Sequence, residues 1–290
     1  MTMSDKTVLI TGANQGIGKE TAKALARMGA LTLLVCRNAE KGRAALDEIT
    51  RDGGKAELFV ADLSIQYEVR RVAREVREKH PVLDVLVNNA GVLVTERRTT
   101  KDGIEETLAL NHLAYFLLTH ELMDPLTRAK NARIVNVSSR AHARAKPSFD
   151  DLQFSRGYAM WKAYSHSKLL NVLFTYELAR RLDGTNITSN CLHPGVIASG
   201  FAQTYGGIMA SLAKLARPFL LTTAEGAKTQ IYLASSPEVE GVTGRYFDKC
   251  KAIRSSSASY DVTAQKKLWE MSEALVFVQD KSLWEMYAKG

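Results

Sequence analysis

The sequence is poor in several features that mark particular classes of protein. Only three cysteines, Cys36, Cys191 and Cys250, occur in 290 residues, and they lie far apart in the chain. Cysteines this few and this scattered argue against a disulfide framework and against a zinc site. The chain has six prolines, no low-complexity tract, no repeat of solenoid period and no stretch that resembles a linker. We therefore expect reduced thiols, no bound metal and a single domain over residues 1–290.

Long apolar runs are also missing. The apolar stretches at 108–118 and 208–221 are both interrupted by polar or charged residues, whereas a membrane-spanning helix needs about 20 consecutive apolar residues. Residues 1–6 contain neither an apolar signal core nor a membrane anchor. On these grounds the sequence predicts a cytoplasmic protein with no membrane anchor.

Acidic residues are outnumbered by basic ones, 31 to 39, which gives a net charge of +8 at pH 7. A basic surplus of this size permits contact with nucleic acids or acidic membranes. The basic residues, however, are mixed with acidic ones along predicted helices, as in 70–79, and no stripe alternates aromatic with basic residues. We expect solvated charged faces with some attraction for an anionic cofactor, and no nucleic-acid binding.

Strand-like and helix-like segments alternate along the chain. Apolar strand candidates lie near residues 7–10, 31–36, 57–60, 83–87, 132–137, 186–191 and 243–247. Helical periodicity lies near residues 17–28, 39–51, 65–79, 104–123, 163–182 and 223–234. This alternation predicts an α/β fold, in which helices cover both faces of a parallel sheet.

Tyr164 and Lys168 are four residues apart in one of the predicted helices, so they share a face about one turn apart. An ammonium group placed there can lower the pKa of the phenol from its usual value of about 10. Tyr164 would then be a usable proton donor near neutral pH. The pair alone is a weak signal, because this spacing also occurs by chance on solvated helix faces.

A glycine-rich turn follows the first predicted strand and precedes the first predicted helix. Its glycines, Gly12, Gly16 and Gly18, have the spacing Gly-x3-Gly-x-Gly. Glycines let the backbone approach a pyrophosphate closely, and a helix N-terminus offers unpaired N–H groups and partial positive charge. The segment predicts a dinucleotide site, with a glycine-punctuated turn that binds no ligand as the alternative.

Taken together, these motifs resemble those of the short-chain dehydrogenase/reductase family over residues 6–274. The matching pieces occur in the family's order, namely 11–18, Asp62-Leu63, 88–91, Asn111, Ser139, 164–168 and Pro194-Gly195. Further strings at 35–38, 136–142, 151–152 and 193–196 are similar to the retinol dehydrogenase-like branch.

This resemblance implies a doubly wound Rossmann-type sheet of about seven strands in the order 3-2-1-4-5-6-7, with the ligand beyond the carboxyl ends of the strands. It also implies a set of cofactor-binding residues at predicted strand ends. They are Gly12, Asn14, Gln15, Gly16, Ile17, Gly18, Asp62, Leu63, Asn88, Ala90, Gly91, Pro194, Gly195, Val196 and Ser199, together with Tyr164 and Lys168.

The choice of cofactor depends on the end of the second predicted strand. Cys36 is followed there by Arg37 and Asn38, with no carboxylate that could bind the adenine ribose 2′-hydroxyl and repel a 2′-phosphate. The planar guanidinium of Arg37 suits phosphate. We therefore predict NADP(H) as the cofactor, with a surface arginine that caps a strand as the alternative.

The resemblance also implies catalytic roles. Tyr164 would donate or accept the proton, Lys168 would hold the nicotinamide ribose, and Asn111 would bind a water that links Lys168 to solvent. Ser139 would hydrogen-bond the substrate oxygen, with Ser138 as the competing candidate. The predicted activity is an NADP(H)-dependent hydride transfer between nicotinamide and a carbonyl or alcohol. The alternative is a non-catalytic NADP(H)-binding sensor on the same fold.

The substrate is less visible in the sequence. Residues 140–162 and 199–223 are rich in apolar side chains, and the corresponding segments close over the substrate in this family. They predict a lipophilic carbonyl or alcohol, although such residues could equally pack against the core. His142 and His166 lie near the motifs, and we interpret both as incidental to the chemistry.

The C-terminal end, residues 262–290, predicts a helical extension. Leu-Trp-Glu-Met occurs there twice, at 268–271 and 283–286, about four helical turns apart. A packing helix is the favoured interpretation, and a contact in a homo-oligomer or a cover over the substrate cleft is the alternative.

Overall fold

The computed structural model describes residues 2–196 and 221–276. Its centre is an eight-stranded sheet in the order β3-β2-β1-β4-β5-β6-β7-β8. The strands are β1 (Thr7–Thr11), β2 (Leu31–Cys36), β3 (Lys55–Val60), β4 (Val85–Asn88), β5 (Ala132–Val137), β6 (Ile187–His193), β7 (Tyr246–Asp248) and β8 (Lys251–Ile253). All neighbours pair in parallel except β7 and β8. The predicted order of the first seven strands is confirmed.

The eighth strand was not predicted. β8 pairs antiparallel with β7 through a tight turn at Lys249 and Cys250. Both turn residues have left-handed backbones, with φ of 50° and 61°. Two-residue hairpin turns of this kind usually contain Asn-Gly or Asp-Gly, so Lys-Cys gives no recognisable signal in the sequence.

Helices lie on both faces of the sheet, as the doubly wound pattern predicts. They are α1 (Gly16–Arg27), α2 (Ala39–Arg51), α3 (Gln66–Lys79), α4 (Glu106–Leu108), α5 (Ala114–Glu121), α6 (Met123–Thr127), α7 (Met160–Arg181), α8 (Thr223–Ser235) and α9 (Val262–Val276). The helix predicted at 104–123 is not continuous. A π-helical turn, Ala109–Leu113, separates α4 from α5, and such turns are frequent at functional sites.

Alternate residues of each central strand face opposite sides of the sheet. In β1 and β2, Leu9 and Leu33 join a buried cluster that contains residues of α3, α5, α7 and α9. Their neighbours Val8, Ile10 and Leu34 join a second cluster that contains residues of α1, α2 and α8. Burial on both faces explains why these strands are apolar throughout and lack a polar alternation.

The described part of the C-terminal extension packs against the body of the protein. On α9, Trp269 is fully buried, and its ring lies 4.9 Å from that of Phe116 and 6.0 Å from that of Phe174. Contacts of this kind are those of a packing helix. The second Leu-Trp-Glu-Met string at 283–286 and the predicted substrate-covering residues 199–220 lie outside the described residues.

Within residues 2–196 and 221–276, no helix of this part of the chain is long and apolar enough to cross a membrane. No group of three or more His, Cys, Asp or Glu side chains in it is arranged to hold a metal ion.

Candidate active site

The glycine-rich turn connects β1 to α1, and two of its glycines have left-handed backbones, Gly12 at φ +66° and Gly16 at φ +59°. At Gly18 an added Cβ would lie 2.4 Å from the carbonyl oxygen of Gly12, so only glycine allows this close packing. The Gln15 side chain does not cap α1, and the first turn contains no acidic residue. The N–H groups at this end therefore remain available to an anion.

A hydrogen-bonded scaffold holds this turn against β4. The amide of Asn89 donates to the carbonyl of Thr11 at 2.7 Å, and the Thr11 hydroxyl accepts the N–H groups of Asn89 and Ala90 at 2.8 and 2.9 Å. From α8 the buried Gln230 donates to Asn89 Oδ1 at 3.1 Å and accepts from the Thr21 hydroxyl at 3.0 Å. The side chains of Thr11, Asn89 and Gln230 thus position the turn. Thr11 and Asn89 lie inside the motif strings, whereas Gln230 was not predicted.

Most predicted cofactor residues are half-buried or exposed at the carboxyl ends of the strands, where a ligand can reach them. They are Gly12, Asn14, Gln15, Gly16, Ile17, Arg37, Asp62, Ala90, Gly91, Pro194, Gly195 and Val196. Ser199 lies outside the described residues. Three of the predicted side chains, those of Leu63, Asn88 and Lys168, are instead buried. Leu63 belongs to the apolar core, and the Asn88 amide donates to Thr119 and Asn136 at 3.1 and 2.9 Å.

Arg37 lies where the sequence predicts a phosphate-binding residue. Its side chain is 70% exposed, and its guanidinium is 3.6 Å from the carboxylate of Asp62. The other oxygen of Asp62 accepts two hydrogen bonds from Ser64, at 3.0 Å from its N–H and 2.7 Å from its hydroxyl. Arg37 can therefore turn to an anionic ligand while the half-buried Asp62 carboxylate keeps its hydrogen bonds to Ser64.

Lys168 lies at the centre of the predicted catalytic group. Its amino group is buried and donates to the carbonyl of Val137 at 3.1 Å. It is 5.7 Å from the ring centroid of Tyr164 and 5.9 Å from that of Tyr115. Burial disfavours the charged form and lowers the pKa of Lys168 from 10.5 to about 7.

The two tyrosines beside Lys168 differ in accessibility. Tyr115 is buried, its hydroxyl donates to the carbonyl of Ala90 at 2.8 Å, and burial raises its pKa well above 10.0. Tyr164 is half-buried. Tyr115 belongs to none of the motifs in the sequence. Its hydroxyl is buried and already donates to Ala90, so it is unsuitable as a proton donor to a ligand. The geometry therefore favours Tyr164.

Asn111 lies in the π-helical turn and is fully buried. Its side chain accepts from the N–H of Val92 at 2.7 Å and donates to the carbonyl of the same residue at 2.9 Å. It also donates to the Ser167 hydroxyl at 3.0 Å. Asn111 thus fixes the loop after β4 beside α7, and the predicted water contact stays a prediction.

The structure distinguishes between the two serines after β5. The buried Ser138 hydroxyl donates to the carbonyl of Lys168 on α7 at 2.8 Å, so its proton is not available to a substrate. Ser139 is half-buried, and its hydroxyl oxygen accepts the N–H of Ala141 at 3.2 Å. Its O–H remains available to donate to a substrate oxygen, which favours Ser139 over Ser138.

The two histidines near these motifs are poor acid–base candidates. Both are buried, and burial lowers both pKa values, that of His166 to about 4. Each ring nitrogen Nε2 accepts a backbone N–H, from Ser256 to His142 at 3.0 Å and from Ser148 to His166 at 3.2 Å. Both rings are therefore neutral near pH 7 and bind the backbone.

Comparison with known proteins agrees with this geometry. The short chain dehydrogenase family matches residues 6–206. Human retinol dehydrogenase 14 is 41% identical over 94% of this chain and 87% of its own. The solved structure of an uncharacterized protein from Mycobacterium paratuberculosis has a TM-score of 0.78 and 33% identity over 95% of each chain. A Shigella flexneri 2a short chain dehydrogenase complexed with NADP has a TM-score of 0.67 and 25% identity over 86% of this chain and 98% of its own.

The buried amino group of Lys168 leads to a prediction about stability. Its pKa is about 7 in the folded protein, against 10.5 for a freely solvated lysine, so the unfolded chain binds the proton more tightly. The fold is therefore destabilised below pH 7, and stability is regained as the pH rises from 7 to about 10. At pH 6, Lys168→Met should raise the free energy of unfolding by about 1–4 kcal/mol, since some gain is offset by the lost hydrogen bond.

Denaturant unfolding between pH 6 and pH 10 measures this difference, which should shrink steadily as the pH rises. Lys162→Met is a matched control, because Lys162 is an exposed lysine on the same helix. A stability difference for Lys168→Met that does not change with pH would contradict the prediction.

Proposed function

Because the chain belongs to the short-chain dehydrogenase/reductase family, we propose that it is an oxidoreductase that transfers hydride between NADP(H) and a carbonyl or alcohol. The observation that carries the proposal is the cluster around Lys168. A half-buried tyrosine lies beside a buried lysine of perturbed pKa, and the available hydroxyl of Ser139 belongs to the residue after Ser138, which is bonded to the Lys168 carbonyl. Perturbed groups of this kind cluster at functional sites.

The residues of the chain have distinct parts in this proposal. Ser139 donates a hydrogen bond to the substrate oxygen and orients it. Tyr164 gives that oxygen a proton in reduction, or accepts it in alcohol oxidation. Lys168 holds the nicotinamide ribose and, when charged, favours the phenolate form of Tyr164. The nicotinamide supplies or accepts the hydride.

The cradle for the dinucleotide fits the residues present. A Cβ at Gly18 would fill the space between Gly12 and Asn89, and the open N-terminus of α1 faces the same turn. The exposed Arg37 supports NADP(H) over NAD(H), because no carboxylate follows β2 directly. The NADP complex of the Shigella relative supports the same choice.

We propose an apolar substrate, on the basis of Trp161. This residue lies one turn before Tyr164 on α7, its ring centroid is 6.0 Å from that of Tyr164, and it is 50% exposed. An accessible tryptophan beside the reacting group provides a flat apolar wall for a ligand. Retinol, for which the human relative is named, is an apolar alcohol of this kind. A cytoplasmic location and a homo-oligomer stay predictions.

The role of Tyr164 can be tested by removing its hydroxyl. Tyr164→Phe should lower kcat by at least 10²-fold, the usual contribution of a positioned acid, while the Kd for NADPH stays within about threefold. Tyr176→Phe is the control on the same helix, since its hydroxyl contacts Ser255, and it should remain active. Retention of more than about a tenth of the activity by Tyr164→Phe would contradict the assignment.

The alternative function, a non-catalytic NADP(H)-binding sensor, is tested on the unmodified protein. Tight NADPH binding without turnover of any carbonyl or alcohol would indicate such a sensor.

Cofactor choice can be tested at Arg37. Arg37→Ala should weaken NADPH binding by roughly 10- to 150-fold, the value of a hydrogen bond between phosphate and arginine, and leave NADH binding nearly unchanged. Arg43→Ala removes the same charge from an exposed position on α2 and controls for long-range electrostatics. Isothermal titration gives both affinities, and equal affinity of the unmodified protein for NADPH and NADH would overturn the preference.

Substrate class can be tested at Trp161. Trp161→Ala should lower kcat/KM for bulky apolar aldehydes by roughly 10-fold, because contact with about 50 Å² of apolar surface is worth about 1 kcal/mol. Small polar aldehydes should be affected much less, and Trp161→Phe should restore most of the loss. An equal loss for both substrate classes would show that Trp161 does not contact the substrate body.

A further inference from the structure

His142 is three residues after Ser139, in a 3₁₀ turn formed by Arg140–Arg144. Its side chain is buried, and its ring centroid lies 4.8 Å from that of Tyr246 on β7. The ring folds back onto the serine, so that Nδ1 is 2.6 Å from the carbonyl oxygen of Ser139. The same oxygen accepts the backbone N–H of His142 at 3.1 Å. Two donors from one residue therefore converge on the carbonyl of the candidate serine.

The hydrogen bonds of the ring define its tautomer. Nε2 accepts the backbone N–H of Ser256 at 3.0 Å, and a backbone N–H can only donate, so Nε2 carries no proton. Nδ1 must then carry the proton in the neutral ring and donate it to Ser139. His142 thus joins the serine turn to a segment 114 residues further along the chain.

We propose that His142 is a positioning residue for this reaction, which holds the Ser139 carbonyl so that the serine hydroxyl points at the substrate oxygen. The inference rests on the proposed function. Ser139 would be held from both sides, since Ser138 is bound to the carbonyl of Lys168 on α7 and His142 is bound to Ser256. With the backbone fixed in this way, the N–H of Ala141 can hold the Ser139 oxygen in place at 3.2 Å, and small misplacements of a reacting group can cost about 10²-fold in rate.

A merely structural role for His142 predicts different behaviour. A packing residue acts on the whole fold, so its loss should add to any other damage at the site. A residue that acts through Ser139 should matter only while the Ser139 hydroxyl is present. A double-mutant cycle distinguishes the two possibilities.

The cycle comprises Ser139→Ala, His142→Leu and the double variant, each measured for kcat, KM and NADPH affinity. Ser139→Ala should lower kcat by roughly 10²- to 10³-fold, and His142→Leu by roughly 10- to 100-fold, with NADPH affinity unchanged. The double variant should be no slower than Ser139→Ala alone, to within about threefold. If the kcat of the double variant falls by the product of the two single losses, the inference is overturned.

Two further variants guard against an effect of misfolding. The amide nitrogen of asparagine can occupy nearly the position of histidine Nδ1, so His142→Asn should recover most of the lost kcat. Tyr176→Phe weakens the anchoring of the segment after β8 through Ser255 and leaves the ring of His142 untouched, so its kcat should stay near that of the unmodified protein. An inactive His142→Asn that still folds and binds NADPH would count against the inference.

The outcomes also separate this inference from the proposed function. An unmodified protein without turnover on any carbonyl or alcohol would overturn the proposed function, and this inference with it. If the unmodified protein is active and the kcat losses of Ser139→Ala and His142→Leu multiply in the double variant, only this inference is overturned.

Discussion

Lys168 donates a hydrogen bond from its buried amino group to the carbonyl of Val137, and this contact joins α7 to the end of β5. Burying an amino group is costly, and the cost is visible as a pKa of about 7. The neighbouring groups come from separate parts of the chain. Tyr164 lies one turn before it, Tyr115 lies on α5, and Gly91 lies after β4, where an added Cβ would be 3.5 Å from the amino group. The candidate site is thus arranged around one poorly solvated amino group.

The cofactor turn depends on a second set of buried polar contacts. Asn89 links the end of β4 to the end of β1, and Gln230 links both to α8. Since β1 and β4 are adjacent in the sheet while α1 leads from β1 to β2, the order of strands reverses here, and ligands bind at such points. The glycines permit the backbone shape, but these amide side chains hold it in place. Both halves of the site therefore rely on polar groups that are buried and satisfied.

Several residues at this edge of the sheet orient others and have no direct part in chemistry. Asn111 fixes the loop after β4, Ser138 fixes α7, and His142 and His166 bind backbone N–H groups of distant segments. Their hydrogen bonds are made within the protein, whereas the side chains of Tyr164, Ser139 and Arg37 are half-buried or exposed. This division between anchored and accessible groups supports the assignment of roles more strongly than the motif strings do.

The sequence by itself determined the α/β class, because apolar periodicity is a local property of the chain, and the resemblance of its motifs to a known family implied the order of seven strands and the segments that carry the candidate site. Tertiary structure alone decided which side chains of each motif are buried and which are accessible. Asn88 and Leu63 point into the protein, and Ser138 is bound to α7 whereas Ser139 is accessible. The roles of Tyr115, Gln230 and His142, and the strand β8, also gave no local signal. Each of these three side chains has a hydrogen-bond partner 25 or more residues away in the chain, and such partners are defined only when the strands and helices have packed together. The strand β8 gave no signal because its hairpin turn contains neither Asn-Gly nor Asp-Gly.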